Sequence, residues 1–139
     1  MAYVENVQGT FSPTLDGSVS SPTVSYTTQV GTYQKIGQLI IATVHMVINT
    51  TSGGSGNVRI ATMPFTSRNV TNEVWMAPVL IDGVDADTGV LYYVVNMGAN
   101  SATCSIQGIR DNTTVLQLPL ANVANGDTFK FTISYLAAT

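Results

Sequence analysis

Charged side chains are scarce in this sequence of 139 residues. Lys, Arg, Asp and Glu together make up 9% of the chain, whereas an ordinary soluble domain carries about 25%. Five basic and eight acidic side chains leave a net charge of −3. Because nucleic-acid binding needs clustered Lys and Arg to neutralise phosphates, this balance argues against that class of function. The chain should nevertheless fold, since 45% of its residues are hydrophobic and disorder requires low hydrophobicity with high charge.

Cysteine and histidine each occur once, as Cys104 and His45. No internal disulfide can form, and the pair cannot complete the four-ligand cage of a structural zinc site. We expect Cys104 to be buried, where an unassisted thiol is inert. A general base at His45 would need a nucleophile and an orienting acid within hydrogen-bond reach, and no motif supplies them. The sequence therefore predicts no catalytic residue and no cofactor, and the protein is expected not to be an enzyme.

Helix signals and long hydrophobic runs are also missing. The chain has two Glu and two Lys, and no segment keeps a 3.6-residue apolar period. The longest apolar stretch, Leu39 to Ile48, is interrupted by Thr43 and His45 and is too short for a helix that spans a bilayer. The N-terminus lacks the basic and apolar regions of a secretory signal. We therefore expect an all-β protein with no membrane partner.

Period-two alternation, typical of strands, is clearest near the C-terminus. In Phe129 to Tyr135 the odd positions are apolar and the even positions polar, which predicts a half-buried strand. A turn is predicted just before it at Asn125-Gly126-Asp127. Ala102, Cys104 and Ile106 alternate with Ser101, Thr103 and Ser105 in a second such strand. Turn signals elsewhere delimit roughly eight to ten strands, spaced as in a sandwich or barrel.

The stretch from Gln38 to Asn49 predicts a strand of a different kind. Its even positions from Ile40 to Ile48 are all apolar, and its odd positions are mixed. A strand that is apolar on both faces must be covered on both faces, and here the second cover would be another sheet or another subunit. Leu91 to Met97 has the same character. The odd positions are our candidate subunit interface: Leu39, Ile41, Thr43, His45 and Val47.

Two further groups of residues are weaker candidates for binding. Carboxylates at Asp82, Asp85 and Asp87 could ligate Ca²⁺, although a solvated loop is the preferred interpretation because no EF-hand pattern surrounds them. Amphipathic rings suit sugar contacts, which makes Trp75, Tyr92 and Tyr93 candidates for a glycan platform. Neighbouring tyrosines point to opposite faces of a strand, so at least one of that pair belongs to the core or an interface.

Several short motifs follow one another in a specific order along most of the chain. They are residues 9–15 (GTFSPTL), Tyr26, 29–37 (QVGTYQKIG), 56–60 (GNVRI), 63–65 (MPF) and 125–131 (NGDTFKF) with Tyr135. This order resembles the C-terminal domains of tailed-bacteriophage fibre, spike and appendage proteins, and small capsid decoration or cement proteins of similar jelly-roll type. Phe11 stands where the family more often has Trp, Ala61-Thr62-Met63 replaces the commoner Gly-Leu before Pro-Phe, and residues 66–112 match only loosely.

The resemblance implies an antiparallel β-sandwich of jelly-roll type, trimeric and exposed on the virion, made in the cytoplasm of a bacterial host. Residues 1–8 would form an N-terminal attachment segment and residues 9–139 a single β-sandwich domain. Its partners would be two further copies of itself and either the major capsid protein or a tail or appendage protein, with host surface glycan as a further partner.

Three functions remain open from the sequence. The leading one is a non-enzymatic capsid decoration protein, because we expect a domain that starts close to Met1 without a shaft before it. The second is the receptor-binding tip of a tail fibre or spike that contacts host surface glycans. The third and most remote is a polysaccharide hydrolase, which would require a pair of carboxylates near the sugar, and Glu73 has no partner suggested by the sequence.

Overall fold

The computed structural model of the protein describes residues 4–138, and these fold into an antiparallel sheet of ten strands with one 3₁₀ turn. The strands are β1 (Asn6–Phe11), β2 (Thr14–Gly17), β3 (Thr23–Ile36), β4 (Leu39–Ser52), β5 (Val58–Ala61), β6 (Val74–Asp82), β7 (Val90–Gly98), β8 (Cys104–Arg110), β9 (Leu116–Gln117) and β10 (Thr128–Leu136), and the 3₁₀ turn is Leu120–Asn122. The all-β prediction is confirmed. In residues 4–138 no helix is long and apolar enough to cross a membrane.

Strand β6 joins two halves of the sheet. The strand order is β1-β3-β4-β10-β6-β7-β8-β5-β2, with β9 paired to β8. The second part of β6, from Val79, pairs with β10, and its first part, up to Pro78, pairs with β7. We call β1, β3, β4 and β10 half-sheet A, and β7, β8, β5 and β2 half-sheet B. The change of partner falls at Pro78, which has no N–H to donate to a sheet.

The sheet curls so that both halves cover one hydrophobic core. Half-sheet A contributes the even positions of β4 and the odd positions of β10, which confirms both predicted patterns. Half-sheet B contributes alternate residues of β5, β7 and β8. Each such aliphatic side chain stabilises the fold by about 1.5–3 kcal/mol when fully buried. The fully buried set includes Ile40, Ala42, Val44, Met46, Ile48, Val58, Ile60, Val95, Met97, Cys104, Ile106, Phe129, Ile133 and Tyr135.

The predicted turn before β10 is present. Gly126 has a φ of +91°, a value that costs glycine little. The carboxylate of Asp127, a buried side chain, accepts a hydrogen bond of 2.6 Å from the N–H of Ala124. The N–H of Gly126 donates to the carbonyl of Ile48 at 2.7 Å. These bonds tie the turn to β4 and start β10 in the register that buries its aromatic face.

Strand β1 crosses the domain boundary expected between residues 8 and 9. It starts at Asn6 and pairs with β3 from Asn6↔Ile36 to Phe11↔Gly31. Residues 6–8 are therefore part of the sheet, and residues 1–3 lie outside the described part of the chain. The structure shows one curled antiparallel sheet. The more specific jelly-roll sandwich, which the resemblance implies, stays a prediction.

Candidate functional site

The outer face of β4 carries the five residues expected at a subunit interface. Leu39 and Thr43 are exposed, and Ile41, His45 and Val47 are half-buried. Residues paired directly across strands lie on the same face, so the neighbours of this row can be read from the register. On β3 and β10 they are mainly polar: Gln34, Thr32, Thr28, Ser134, Thr132, Lys130 and Thr128. Val30, Ile36 and Leu136 are the apolar exceptions, so the surface around this row is mixed.

His45 lies on this outer face between Val30 of β3 and Lys130 of β10. Neither Val30 nor Lys130 carries a hydroxyl, thiol or carboxyl group that His45 could activate or that could orient it. One row further, the hydroxyl groups of Thr43 and Thr132 are hydrogen-bonded to each other at 2.9 Å. A general-base role for His45 requires an orienting carboxylate, and the strands that flank it place none opposite it.

Cys104 lies in the core at the start of β8 and is fully buried. Burial raises the pKa of the thiol to about 12, because the thiolate loses its hydration in apolar surroundings. A nucleophilic or metal-binding cysteine must reach the thiolate form near neutral pH. Cys104 is therefore in an environment that opposes both kinds of chemistry.

The outer face of β6 is an apolar stripe that we did not predict. The even positions Val74, Met76, Pro78 and Leu80 are all exposed, and Met76 and Leu80 leave 55% and 58% of their surface open. The odd positions Trp75, Ala77, Val79 and Ile81 pack against the core. A strand apolar on both faces is unusual when one face is solvated. The uninterrupted apolar run at residues 74–81 is the sequence signal that could have revealed it.

The three aromatic candidates for glycan contact do not form one platform. Trp75 points inward, with its ring 6.3 Å from that of Tyr135 in an edge-on arrangement. Tyr93 is half-buried, and burial raises the pKa of its hydroxyl group. Tyr92 alone among the three is on the surface, with 57% of its area exposed. One aromatic ring is therefore available to a ligand where three were considered.

The acidic loop after β6 does not assemble a calcium site in the structure. Within residues 4–138, no three side chains of the His, Cys, Asp or Glu type are close enough together to ligate one metal ion. Asp82 and Asp85 are exposed, and Asp87 is half-buried. The calcium alternative at Asp82, Asp85 and Asp87 thus finds no support in their geometry.

The described part of the N-terminal segment is fastened to half-sheet A. The ammonium group of Lys35 lies 3.0 Å from a carboxylate oxygen of Glu5 and 5.9 Å from the ring centre of Phe65. The carbonyl of Glu5 accepts a 2.8 Å hydrogen bond from the N–H of Gly37. Val4 is exposed. The segment from Glu5 onward is thus held by the sheet, and Val4 is the first described residue free to contact a partner.

Comparisons by sequence alone find nothing similar to the chain. No protein-family profile matches it, and no curated protein matches it. Whatever relationship exists has to be recognised from the fold.

Comparison with solved structures finds a similar fold in the crystal structure of the Dettilon tailspike protein (gp208). The two share 20% sequence identity at a TM-score of 0.76, over 96% of this chain. The match covers 24% of the tailspike chain, so this chain spans about a quarter of its length. At this identity the likeness establishes the fold: the chain has the architecture of a β-domain found in a tailspike.

Proposed function

We propose that this chain is a structural β-domain of a bacteriophage virion, of the kind that belongs to tail spikes and fibres. The observation that carries the proposal is the fold likeness to a tailspike domain over 96% of the chain. It agrees with the ordered motifs that resemble phage fibre and appendage domains. A protein exposed on a particle needs a stable surface with few reactive groups, and the low charge and buried cysteine fit that demand.

The domain acts without catalysis in this proposal. His45 has Val30 and Lys130 as its register partners, and the Cys104 thiol is buried with a raised pKa. The exposed carboxylates near β6 are not gathered into a cluster. A polysaccharide hydrolase would need an acid and a second carboxylate on opposite sides of a bound sugar. The described surface gives the most support to a binding or structural role.

Assembly into a trimer completes the proposal. Obligate interfaces are more apolar than the rest of the surface, and the β6 stripe of Val74, Met76, Pro78 and Leu80 has that character. Leu80 lies beside Lys130 of β10, which in turn lies beside His45 of β4. We place the centre of the subunit contact on the β6 stripe, with the mixed outer face of β4 at its rim.

Location in the particle decides between the tail and the capsid. Antibody labelling of intact virions, imaged by electron microscopy, should place this protein at the tail, in a handful to a few dozen copies. A decoration or cement protein would cover the capsid in hundreds of copies. Labelling of the capsid shell would overturn the tail assignment and restore the decoration function. Absence of the protein from purified virions would overturn the proposal as a whole.

A further inference from the structure

Half-sheet B carries a polar concavity on its outer face, which borders the β6 stripe because Asn96 lies opposite Met76 and Gly98 lies opposite Val74. Its volume is about 310 Å³, near the lower end of the roughly 300–1,000 Å³ typical of small-molecule sites. Its walls come from β5, β7, β8, β9 and the loop before β8. The lining residues are Arg59, Asn96, Gly98, Ser101, Thr103, Ser105 and Gln117.

The pairing of three strands places its central residues in one row. Arg59 of β5 is opposite Ser105 of β8, and Ser105 is opposite Asn96 of β7. Direct partners in an antiparallel sheet share a face. Gln117 of β9 joins the same face one row along, where it pairs with Gln107. The side chains of Arg59, Asn96 and Gln117 surround Ser105 on three sides and, with the loop before β8, form a shallow cup on this face.

Some polar side chains of the cup are hydrogen-bonded within the protein, and others have no partner there. The hydroxyl of Ser101 donates to the carbonyl of Thr103 at 3.0 Å and accepts from the N–H of Thr103 at 3.1 Å. Among residues 4–138, no hydrogen-bond or ion-pair partner engages the side chain of Arg59, Asn96 or Gln117. Asp16, the carboxylate opposite Arg59 in the sheet, instead accepts a 2.6 Å bond from the hydroxyl of Ser21.

We propose that this cup binds an acidic saccharide. Arg59 would hold the carboxylate of a uronic-type sugar through a charge-assisted, bidentate hydrogen bond. The amides of Asn96 and Gln117 each offer two donors and one acceptor, which suits the hydroxyl groups of the sugar ring. This site goes beyond the proposed virion function, which assigns the chain no ligand, and it does not depend on it.

The composition of the cup favours this ligand over other anions. Phosphate groups are bound by several converging cations or by a helix N-terminus, and here Arg59 is the single charged lining residue. An acidic peptide would be expected to bury apolar side chains in pockets, and this lining has none. The larger concavity on half-sheet A, lined by Gln8, Gly9, Thr10, Thr32, Tyr33, Gln34, Ile41 and Thr43, contains no charged residue. A ligand with one carboxylate and several hydroxyls matches the half-sheet B cup.

The test is a titration of the isolated ¹⁵N-labelled protein with tri-galacturonic acid, followed by amide chemical shifts. The methyl ester of the same trisaccharide, glutarate and inorganic phosphate are the comparison probes. We expect saturable shifts at Arg59, Asn96 and Gln117 with the acid, and at least about tenfold weaker binding of the ester. Arg59→Ala should weaken binding of the acid by a similar factor, and Asn96→Ala by several-fold. Lys130→Ala, which removes one positive charge on the outer face of half-sheet A, is the matched control and should bind as wild type.

Several outcomes would overturn the saccharide site. One is the absence of chemical-shift changes at about 10 mM trisaccharide, because a millimolar dissociation constant is already weak for specific binding. Another is equal binding of the acid and its ester, which would show that the site does not recognise the carboxylate. A third is that glutarate or phosphate binds as tightly as the acid, which would show that the sugar hydroxyl groups are not recognised. The ester comparison uses the wild-type protein and holds whatever happens to the stability of Arg59→Ala. Since no virion is used, failure here leaves the virion proposal standing.

Discussion

The ring of Tyr33 occupies the space that a side chain at Gly9 would need. A β-carbon on Gly9 would lie 2.5 Å from the hydroxyl oxygen of Tyr33 and 2.6 Å from its Cζ. Gly9 of β1 and Tyr33 of β3 are directly opposite each other. Two residues further along β1 the roles of the strands are exchanged, and the ring of Phe11 lies over Gly31 of β3. Both strands thus carry the sequence Gly-Thr-aromatic, and antiparallel pairing sets each glycine against the aromatic ring of the other strand, an arrangement that pins the register of sheet edges.

Gly9→Ala is expected to destabilise the fold by about 1–3 kcal/mol, because the new methyl group has to displace the Tyr33 ring. Gly31→Ala should cost a similar amount, since its β-carbon would lie 2.7 Å from the carbonyl oxygen of Phe11. The free energy of unfolding from denaturant titration is the measurement. Gly98→Ala is the matched control, because a β-carbon there meets nothing within 4 Å.

A double-mutant cycle separates the ring contact from a general effect of alanine on β1. In the Tyr33→Ala background the added methyl group at Gly9 has no ring to displace, so its cost should fall to near zero. Equal costs in the two backgrounds, or a Gly98→Ala variant as unstable as Gly9→Ala, would show that the ring contact does not govern this pair.

The sequence predicted the core faces well because burial leaves a period in the residue types. The alternations in β4 and β10 match the observed strands within one to three residues at each end. The turn at Asn125-Gly126-Asp127 was predictable for an equally local reason, the tolerance of Gly126 for a positive φ. Each of these features depends only on residues close together in the chain, so it can be predicted from a single sequence.

Features that depend on two distant segments escaped prediction. The Gly-Thr-aromatic motifs were recognised singly, yet their function as a reciprocal pair depends on the register of β1 against β3. The cup around Arg59 joins residues from β5, β7, β8 and β9, which no local pattern brings together. The outer face of β4 was expected to be part of an apolar surface, but most of its register neighbours on β3 and β10 are polar. The character of a surface depends on adjacent strands, which a single segment does not show.

Cys104 should be unreactive in the native protein. Its thiol has a pKa of about 12 because of burial, so almost none is thiolate at pH 8, and the side chain is closed to solvent. Absorbance measured with a chromogenic disulfide reagent at pH 8 should show negligible labelling of the folded protein. One thiol per chain should react rapidly in denaturant, which serves as the control. Fast labelling of the native state would place Cys104 nearer the surface than the structure does.

Asp127 should make stability depend on pH in a defined direction. Burial raises the pKa of this carboxyl group above its ordinary value of 3.8, and the charge of Asp82 adds to the effect. A raised pKa in the folded state means that this group contributes stability below pH 3.8, and that the contribution is lost as pH rises through the folded-state pKa.

Asp127→Asn keeps an acceptor for the Ala124 N–H and removes the charge. The variant is therefore expected to melt above wild type at pH 7, with the difference shrinking toward pH 3.5. Thermal melts at a series of pH values make the comparison, and Asp111→Asn, on an exposed position after β8, is the control. A variant that melts below wild type at pH 7 would contradict this account of Asp127.

Charge placed on the β6 stripe should dissociate the proposed trimer. Light scattering on the wild type is expected to give three times 14.7 kDa. Met76→Glu and Leu80→Glu should shift the mass toward the monomer, because an unpaired carboxylate in a desolvated contact is costly. Leu91→Glu, at a position 65% exposed and off the stripe, is the control and should remain trimeric. A monomeric wild type would refute the trimer, and unaffected stripe variants would move its contact elsewhere.

Attachment to the particle should survive high salt. With 9% charged residues, docking has to rely on shape, apolar contact and uncharged hydrogen bonds, and these are not screened when the Debye length falls to about 3 Å at 1 M salt.

Removal of residues 2–8 would take away half of β1, including the Gln8 side of its pairing with β3, and would confuse release with partial unfolding. Removal of residues 2–4 keeps Glu5, with its bonds to Lys35 and Gly37, so the sheet should stay intact. We expect the wild type to remain on virions washed with 1 M NaCl and the protein lacking residues 2–4 to be released, as measured by immunoblot of pelleted particles, with both proteins giving the same β-type circular dichroism. Loss of the wild type in moderate salt would show that charge pairs hold it, and full retention of the shortened protein would place the attachment surface outside the N-terminal segment.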